Sequence, residues 1–272
     1  MTERRAVLFD LDNTLILEDD ATLSAVRAAA TLAHERASLD VERVTAAVAE
    51  IAARVWEGAP AHAYGESFGI WWGEALWGGF TGESDELRLI RDYLPTFRER
   101  VWRDALGSLG VEDAALATDM QRAYVSARRA REFIDPEAEP ALGDLRRDHR
   151  LALLTNGAGD VQREKLSRTP FAPYFETIVI STEVGVGKPD PRIFEITLSR
   201  LGVTKEDATM VGDSLIRDVG GARRAGLRAI WIDRDLGQQG DVRPDATVRR
   251  LSDLRAALDE LERRPVSPRA TT

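Results

Sequence analysis

Residues 9–15 read FDLDNTL. The stretch closes the apolar run Ala6-Val7-Leu8-Phe9 and then sets Asp10 and Asp12 two positions apart. A short, nearly continuous apolar run fits a strand buried on both faces, as in a parallel sheet. Residues two apart on a strand point to one face, with Cα atoms roughly 6–7 Å apart. Two carboxylates so placed can flank one reacting group. Their repulsion raises one pKa unless a cation relieves it.

The same grammar recurs downstream. Residues 150–154 form an apolar run that ends in Thr155-Asn156-Gly157. Thr177–Ile180 ends at Ser181, residues 208–211 end in Gly212-Asp213, and Arg228–Ile232 ends at Asp233. Helical segments separate these runs. Residues 193–201 sit between prolines and Gly202, which supply start and stop signals. A second helix is expected over about 216–225, stopping at Gly226. A last one carries Leu251, Leu254, Leu258 and Leu261 at helical spacing, with Ser252 or Asp253 as N-cap. This alternation predicts an α/β fold with a doubly wound, Rossmann-like parallel sheet and right-handed crossovers.

Residues 18–130 differ. They are rich in Ala, Glu, Arg and Leu, and helices are predicted over 21–37, 41–56 and 113–133. Five of the six tryptophans fall in this stretch. The expected organisation is a core built from 1–17 and 131–264, a mainly α-helical cap over 18–130, and a disordered tail over 265–272. In GIWWGEALWGGF, residues 69–80, the aromatic rings are expected to pack the helical domain's core rather than line a pocket.

Composition narrows the chemistry. The 272 residues include no cysteine, which excludes disulfides, thiolate metal sites and a Cys nucleophile. His34, His62 and His149 lack metal-ligand spacing and are assigned no catalytic role. A net charge of −9 disfavours nucleic acid as a partner. No apolar run approaches a membrane helix, and the N-terminus lacks the pattern of a signal peptide, so a cytoplasmic protein with no membrane partner is expected. The expected assembly is a monomer or homodimer.

In open parallel sheets, ligands bind beyond the carboxyl ends of the strands. Asp10 and Asp12 follow the first run, Thr155 and Asn156 the second, and Lys188, in GVGKPDP, follows the third after a short loop. Asp213, in VGDSLIRD, ends the fourth, with Asp218 five residues on. Alone, each is as readily a turn, a solvated loop or a helix cap. Together they form an oxygen-rich set suited to Mg²⁺, with a lysine and a hydroxyl as donors. Such a set fits a phosphoryl group, whose oxygens a cation and a lysine bind while a carboxylate attacks phosphorus.

DLDNTL, TNG, KPDP and GDSLIRD, in this order, resemble the four signature motifs of the haloacid dehalogenase-like hydrolases. The helical insert after the first motif resembles the cap of that superfamily's phosphatases (subfamily I). The resemblance implies that Asp10 is the nucleophile and forms an aspartyl-phosphate, while Asp12 is the general acid and base. It implies that Thr155 and Asn156 bind the phosphoryl group and that Lys188 holds it and Asp10 in place. Mg²⁺ would be bound by Asp10, the backbone carbonyl of Asp12, and Asp213, with Asp218 a neighbouring acidic partner. The expected activity is Mg²⁺-dependent hydrolysis of a small phosphorylated metabolite, of the sugar phosphate or nucleotide monophosphate class. The alternatives are a phosphomutase, a haloacid dehalogenase, or a non-catalytic binding protein on the same fold.

Overall fold

The structure is a computed structural model that describes residues 4–234 and 241–263. The expected tail over 265–272 lies outside the described residues. Six strands form one sheet: β1 (Ala6–Phe9), β2 (Arg150–Thr155), β3 (Thr177–Ile180), β4 (Ala208–Gly212), β5 (Arg228–Ile232) and β6 (Ala246–Val248). Their order is β3-β2-β1-β4-β5-β6, and every pairing is parallel. Sequence reading places the first five. It misses β6, a three-residue edge strand with one buried residue and no apolar run to announce it.

Both faces of β1 are buried, as its unbroken apolar run requires. Ala6 and Leu8 join a core with Phe194, Leu198 and Met210. Val7 and Phe9, which the pleat turns to the opposite face, are also fully buried. The registers align Phe9 with Leu153 on one side and Val211 on the other, so the chain after β1 emerges between the carboxyl ends of β2 and β4.

The chain groups into two compact units. Among the described residues, the first comprises 4–17, 134–156, 169–234 and 241–263; the second comprises 18–133 and 157–168. In the sheet unit, helix Pro191–Leu201 starts with Pro191 after the Asp190 cap and ends at Gly202 in a left-handed conformation, as its punctuation predicts. The helix expected over 216–225 is different: a π-helical turn, Leu215–Gly220, precedes a short α-helix, Gly221–Ala225. Its cause is visible in Val219, whose N–H reaches back five residues to the Ser214 carbonyl. The last helix also departs from expectation. Neither Ser252 nor Asp253 caps it, because both lie inside a 3₁₀ turn, Leu251–Asp253, that leads into Leu254–Arg263. The Glu137 carboxylate caps that turn instead, accepting the Ser252 N–H at 3.0 Å.

The second unit is helical: Glu18–Ala37, Val41–Glu57, His62–Phe68, Trp72–Ala75, Asp85–Ser108, Ala114–Ala130 and Gly159–Ser167. Side chains of Asp40, Ser84 and Asp113 cap three of these helices. Within 69–80, Trp77 and Phe80 are buried in its core while Trp71 and Trp72 are only partly buried; Trp56 and Trp102, outside that stretch, are buried in the same core. Arg128, Arg129 and Arg168 lie against the Trp77 ring at 4.9–5.7 Å. A buried ion-pair chain runs through the same unit. Lys165 Nζ lies 2.7 Å from Glu74 Oε1 and 3.2 Å from Glu18 Oε2, and Arg128 pairs with Glu18 and Glu132.

Candidate active site

The site lies in the sheet unit, at the carboxyl ends of β1, β2 and β4. β1 ends at Phe9, so Asp10 and Asp12 lie just beyond the strand rather than within it. Asp10 is still held in sheet register, because its N–H donates to the Val211 carbonyl at 3.0 Å. The chain then turns. Asn13 adopts a left-handed conformation (φ 57°), and the N–H groups of Leu15 and Ile16 both return to the Leu11 carbonyl. Asn is among the few residue types that tolerate this conformation.

Lys188 joins the acidic residues. Its buried ammonium donates to Asp10 Oδ1 at 2.6 Å and to Asp218 Oδ1 at 2.6 Å. The backbone of Lys188 is fixed by Asn156, which donates through Nδ2 to the Lys188 carbonyl and accepts the Lys188 N–H through Oδ1, both at 2.8 Å. Thr155 is buried at the end of β2, its hydroxyl 3.2 Å from the Asn156 carbonyl.

Asp218, the residue least marked in sequence, is central. The π turn carries its carboxylate back to the end of β4, where Oδ2 accepts the Ser214 N–H at 2.9 Å. Gly212 makes this approach possible: a Cβ there would sit 2.3 Å from Asp218 Cγ. Asp213 is held by neighbours that sequence reading did not single out. Its N–H donates to Thr14 Oγ1 at 3.1 Å, the Thr14 hydroxyl reaches Asp213 Oδ1 at 3.4 Å, and Trp231 Nε1 donates to its carbonyl at 2.7 Å. Thr14 belongs to FDLDNTL, so a signal for it existed. Trp231 read only as an apolar strand residue.

Asp10, Asp213 and Asp218 each bring a carboxylate oxygen within 4.8 Å of the others. This acidic triad could hold a metal ion, and it joins Asp218 to the Asp10 and Asp213 of the sequence reading. Burial, with Asp218 and Asp12 close by, pushes the Asp10 carboxyl up to about 7, although Lys188 pulls it down. Burial and the charges of Asp218 and Asp10 likewise raise Asp213 well above the carboxylate range. Lys188 moves upward, because the two carboxylates outweigh the cost of burying its ammonium. Four carboxylates against one lysine leave an excess of negative charge. A divalent cation with a preference for oxygen ligands fits that donor set.

A parallel sheet in this order, with carboxylates and a lysine gathered at its carboxyl edge, is the arrangement that the four motifs call for. The family model of the haloacid dehalogenase-like hydrolases matches residues 4–226, and the chain belongs to that family of enzymes. Over 253 residues it is 40% identical to a phosphoserine phosphatase of Thermus thermophilus, covering 92% of this chain and 96% of that protein. Among solved structures, the magnesium-bound hydrolase YfnB of Bacillus subtilis superposes with a TM-score of 0.64 at 22% identity, covering 94% and 99% of the two chains. A 2-haloacid dehalogenase of Pseudomonas syringae superposes with a TM-score of 0.56 at 28% identity, covering 95% and 99%. Among the described residues, no helix is long and apolar enough to cross a membrane.

Proposed function

We propose that this chain is a Mg²⁺-dependent phosphatase that hydrolyses a small phosphorylated metabolite through an aspartyl-phosphate on Asp10. The observation that carries the reading is the contact of Lys188 Nζ with Asp10 at 2.6 Å, beside the acidic triad. Lys188 favours the ionised, nucleophilic form of Asp10 against the burial that opposes it.

In the first half-reaction, an Asp10 oxygen attacks phosphorus and the ester P–O bond breaks. Asp12 gives its proton to the leaving alcohol. In the second, Asp12 takes a proton from water as that water attacks phosphorus, releasing phosphate and restoring Asp10. The Thr155 hydroxyl and the Asn156 N–H donate to the phosphoryl oxygens, and Lys188 holds Asp10 and the phosphoryl group together. Asp10, Asp213 and Asp218 would hold the Mg²⁺, which supplies neutralisation of charge on the phosphoryl oxygens. The Asp12 carbonyl remains a candidate fourth ligand.

O-phosphoserine is the first substrate to test, because the Thermus thermophilus relative is matched over nearly its whole length. Sugar phosphates and nucleotide monophosphates complete the panel. Purified protein with Mg²⁺ should release phosphate from at least one of these, and Asp10→Asn should abolish the release. Activity on a 2-haloacid that survives EDTA, with no phosphate released from any ester, would replace this reading with the dehalogenase one.

A further inference from the structure

Arg234 lies two residues beyond β5 and belongs to none of the motifs. Its guanidinium nevertheless meets the catalytic turn. Nε donates to the Asn13 carbonyl at 2.9 Å and Nη2 to the Thr14 carbonyl at 2.7 Å. Nη1 pairs with Asp135 Oδ2 at 2.6 Å, and the Asp135 side chain is only 8% exposed. Asp135 is itself tied to the turn, since its N–H donates to the Leu15 carbonyl at 3.1 Å and Ile16 bridges Ile134.

Three acceptors met by three different nitrogens suit a guanidinium, whose donors form a rigid fork. An ammonium is a point charge and cannot reproduce it. The two carbonyls belong to the residues that directly follow Asp12. One of them, Asn13, holds the left-handed conformation at which the chain turns, so the clamp acts on the turn itself. The other, Thr14, passes the constraint on, because its hydroxyl accepts the Asp213 N–H and reaches the Asp213 carboxylate.

We propose that Arg234 is a positioning residue, whose hold on the Asn13 and Thr14 carbonyls sets Asp12 for proton transfer and, through the Thr14 hydroxyl, sets Asp213 for metal binding. The proposal rests on the phosphatase reading above. It assigns to a residue outside the motifs the alignment of two residues within them.

The test compares wild type with Arg234→Lys and Arg234→Ala on the best substrate from the panel. It reads kcat, KM, the Mg²⁺ concentration for half-maximal rate, and hydrogen exchange at the amides of Leu15 and Ile16. Arg234→Ala should lower kcat by roughly 10- to 100-fold with KM within about threefold, the cost expected of a catalytic group displaced by about 1 Å. It should also raise the Mg²⁺ requirement and speed exchange at both amides. Arg234→Lys should fall between the two, and added guanidinium should restore part of the Arg234→Ala rate. Unchanged kcat and Mg²⁺ requirement in an active enzyme would overturn the proposal. So would a loss of rate that follows only the loss of folded protein, with lysine no better than alanine and exchange at Leu15 and Ile16 unaltered. If wild type releases no phosphate from any ester, the phosphatase reading fails instead, which is a separate result.

Discussion

Asn156 and Lys188 clasp each other across the gap between β2 and the loop after β3. The Asn156 amide gives one hydrogen bond and takes one, each 2.8 Å long, to the backbone of Lys188. The side chain of Asn156 thus steers a lysine distant in sequence, a role additional to the phosphoryl contact assigned to its backbone. Asn156→Ala strands a buried N–H and a buried carbonyl, each worth about 1–3 kcal/mol. Thermal unfolding should show a loss of about 2–6 kcal/mol for the two together, and kcat should fall even at temperatures where the variant is fully folded. Asn156→Asp keeps the acceptor and loses the donor, so its stability should lie between the two.

Gly212 and Asp218 form a second tight fit. Gly212→Ala places a methyl group where the Asp218 carboxylate now sits. Asp218 must then leave the Ser214 N–H and the Lys188 ammonium. Overpacking of this kind costs about 1–3 kcal/mol. Steady-state kinetics should show a fall in kcat at least as large as that of an Asp218→Asn variant assayed alongside, with KM little changed. A Gly212→Ala enzyme with wild-type kcat would mean that the position of Asp218 has no bearing on turnover.

Much of this was legible in FDLDNTL and the strand runs, for a physical reason. Strands buried on both faces are written as unbroken apolar runs, and ligands in such sheets gather where the runs end. Asp10, Lys188 and Asp213 follow from those two rules. Asp218 did not, because its approach depends on a π turn that no local periodicity encodes. Trp231 and Arg234 escaped notice because their roles come from contacts across the sheet edge, to Asp213 and to Asn13 and Thr14, far away in the chain. Strand β6 and the 3₁₀ turn before the last helix were lost for the opposite reason: each is too short to show a period.

Lys165 should be essential to the helical unit. It is fully buried between Glu18 and Glu74. Removing one member of a buried ion pair costs about 3–5 kcal/mol, because the partner charge is left without compensation. Lys165→Met should therefore lower the unfolding free energy by that order. The double variant Lys165→Met, Glu74→Leu should recover part of the loss, since Glu18 keeps Arg128 at 2.5 Å. Denaturant melts of the two single variants and the double variant give the coupling directly. Additive losses would show that the pair does not interact.

Glu137 supplies an acid-sensitive contact in the sheet unit. Hydrogen bonds from Arg250 and from the Ser252 N–H lower its carboxyl from 4.5 to about 2. A carboxyl depressed in the folded state adds stability above its unfolded pKa and loses it as the pH falls through the folded one. The Tm difference between wild type and Glu137→Gln should therefore be full above about pH 5, shrink between pH 4.5 and about 2, and vanish below. Its size should be small, because the carboxylate is only partly buried and its partner Arg250 is exposed, so water screens the pair. A difference that grows on acidification would contradict the assignment.

The central claim is that Asp10 forms a bond to phosphorus. Its most direct test is mass spectrometry of the peptide carrying Asp10, after acid quench of the Asp12→Asn enzyme turning over its substrate with Mg²⁺. Asp12→Asn removes the base of the second half-reaction as well as the acid of the first, so with p-nitrophenyl phosphate as substrate, whose leaving group departs without a proton, a phosphoryl group should accumulate on Asp10 and be released by hydroxylamine. An unmodified Asp10 peptide from an enzyme that is still releasing phosphate would contradict the mechanism.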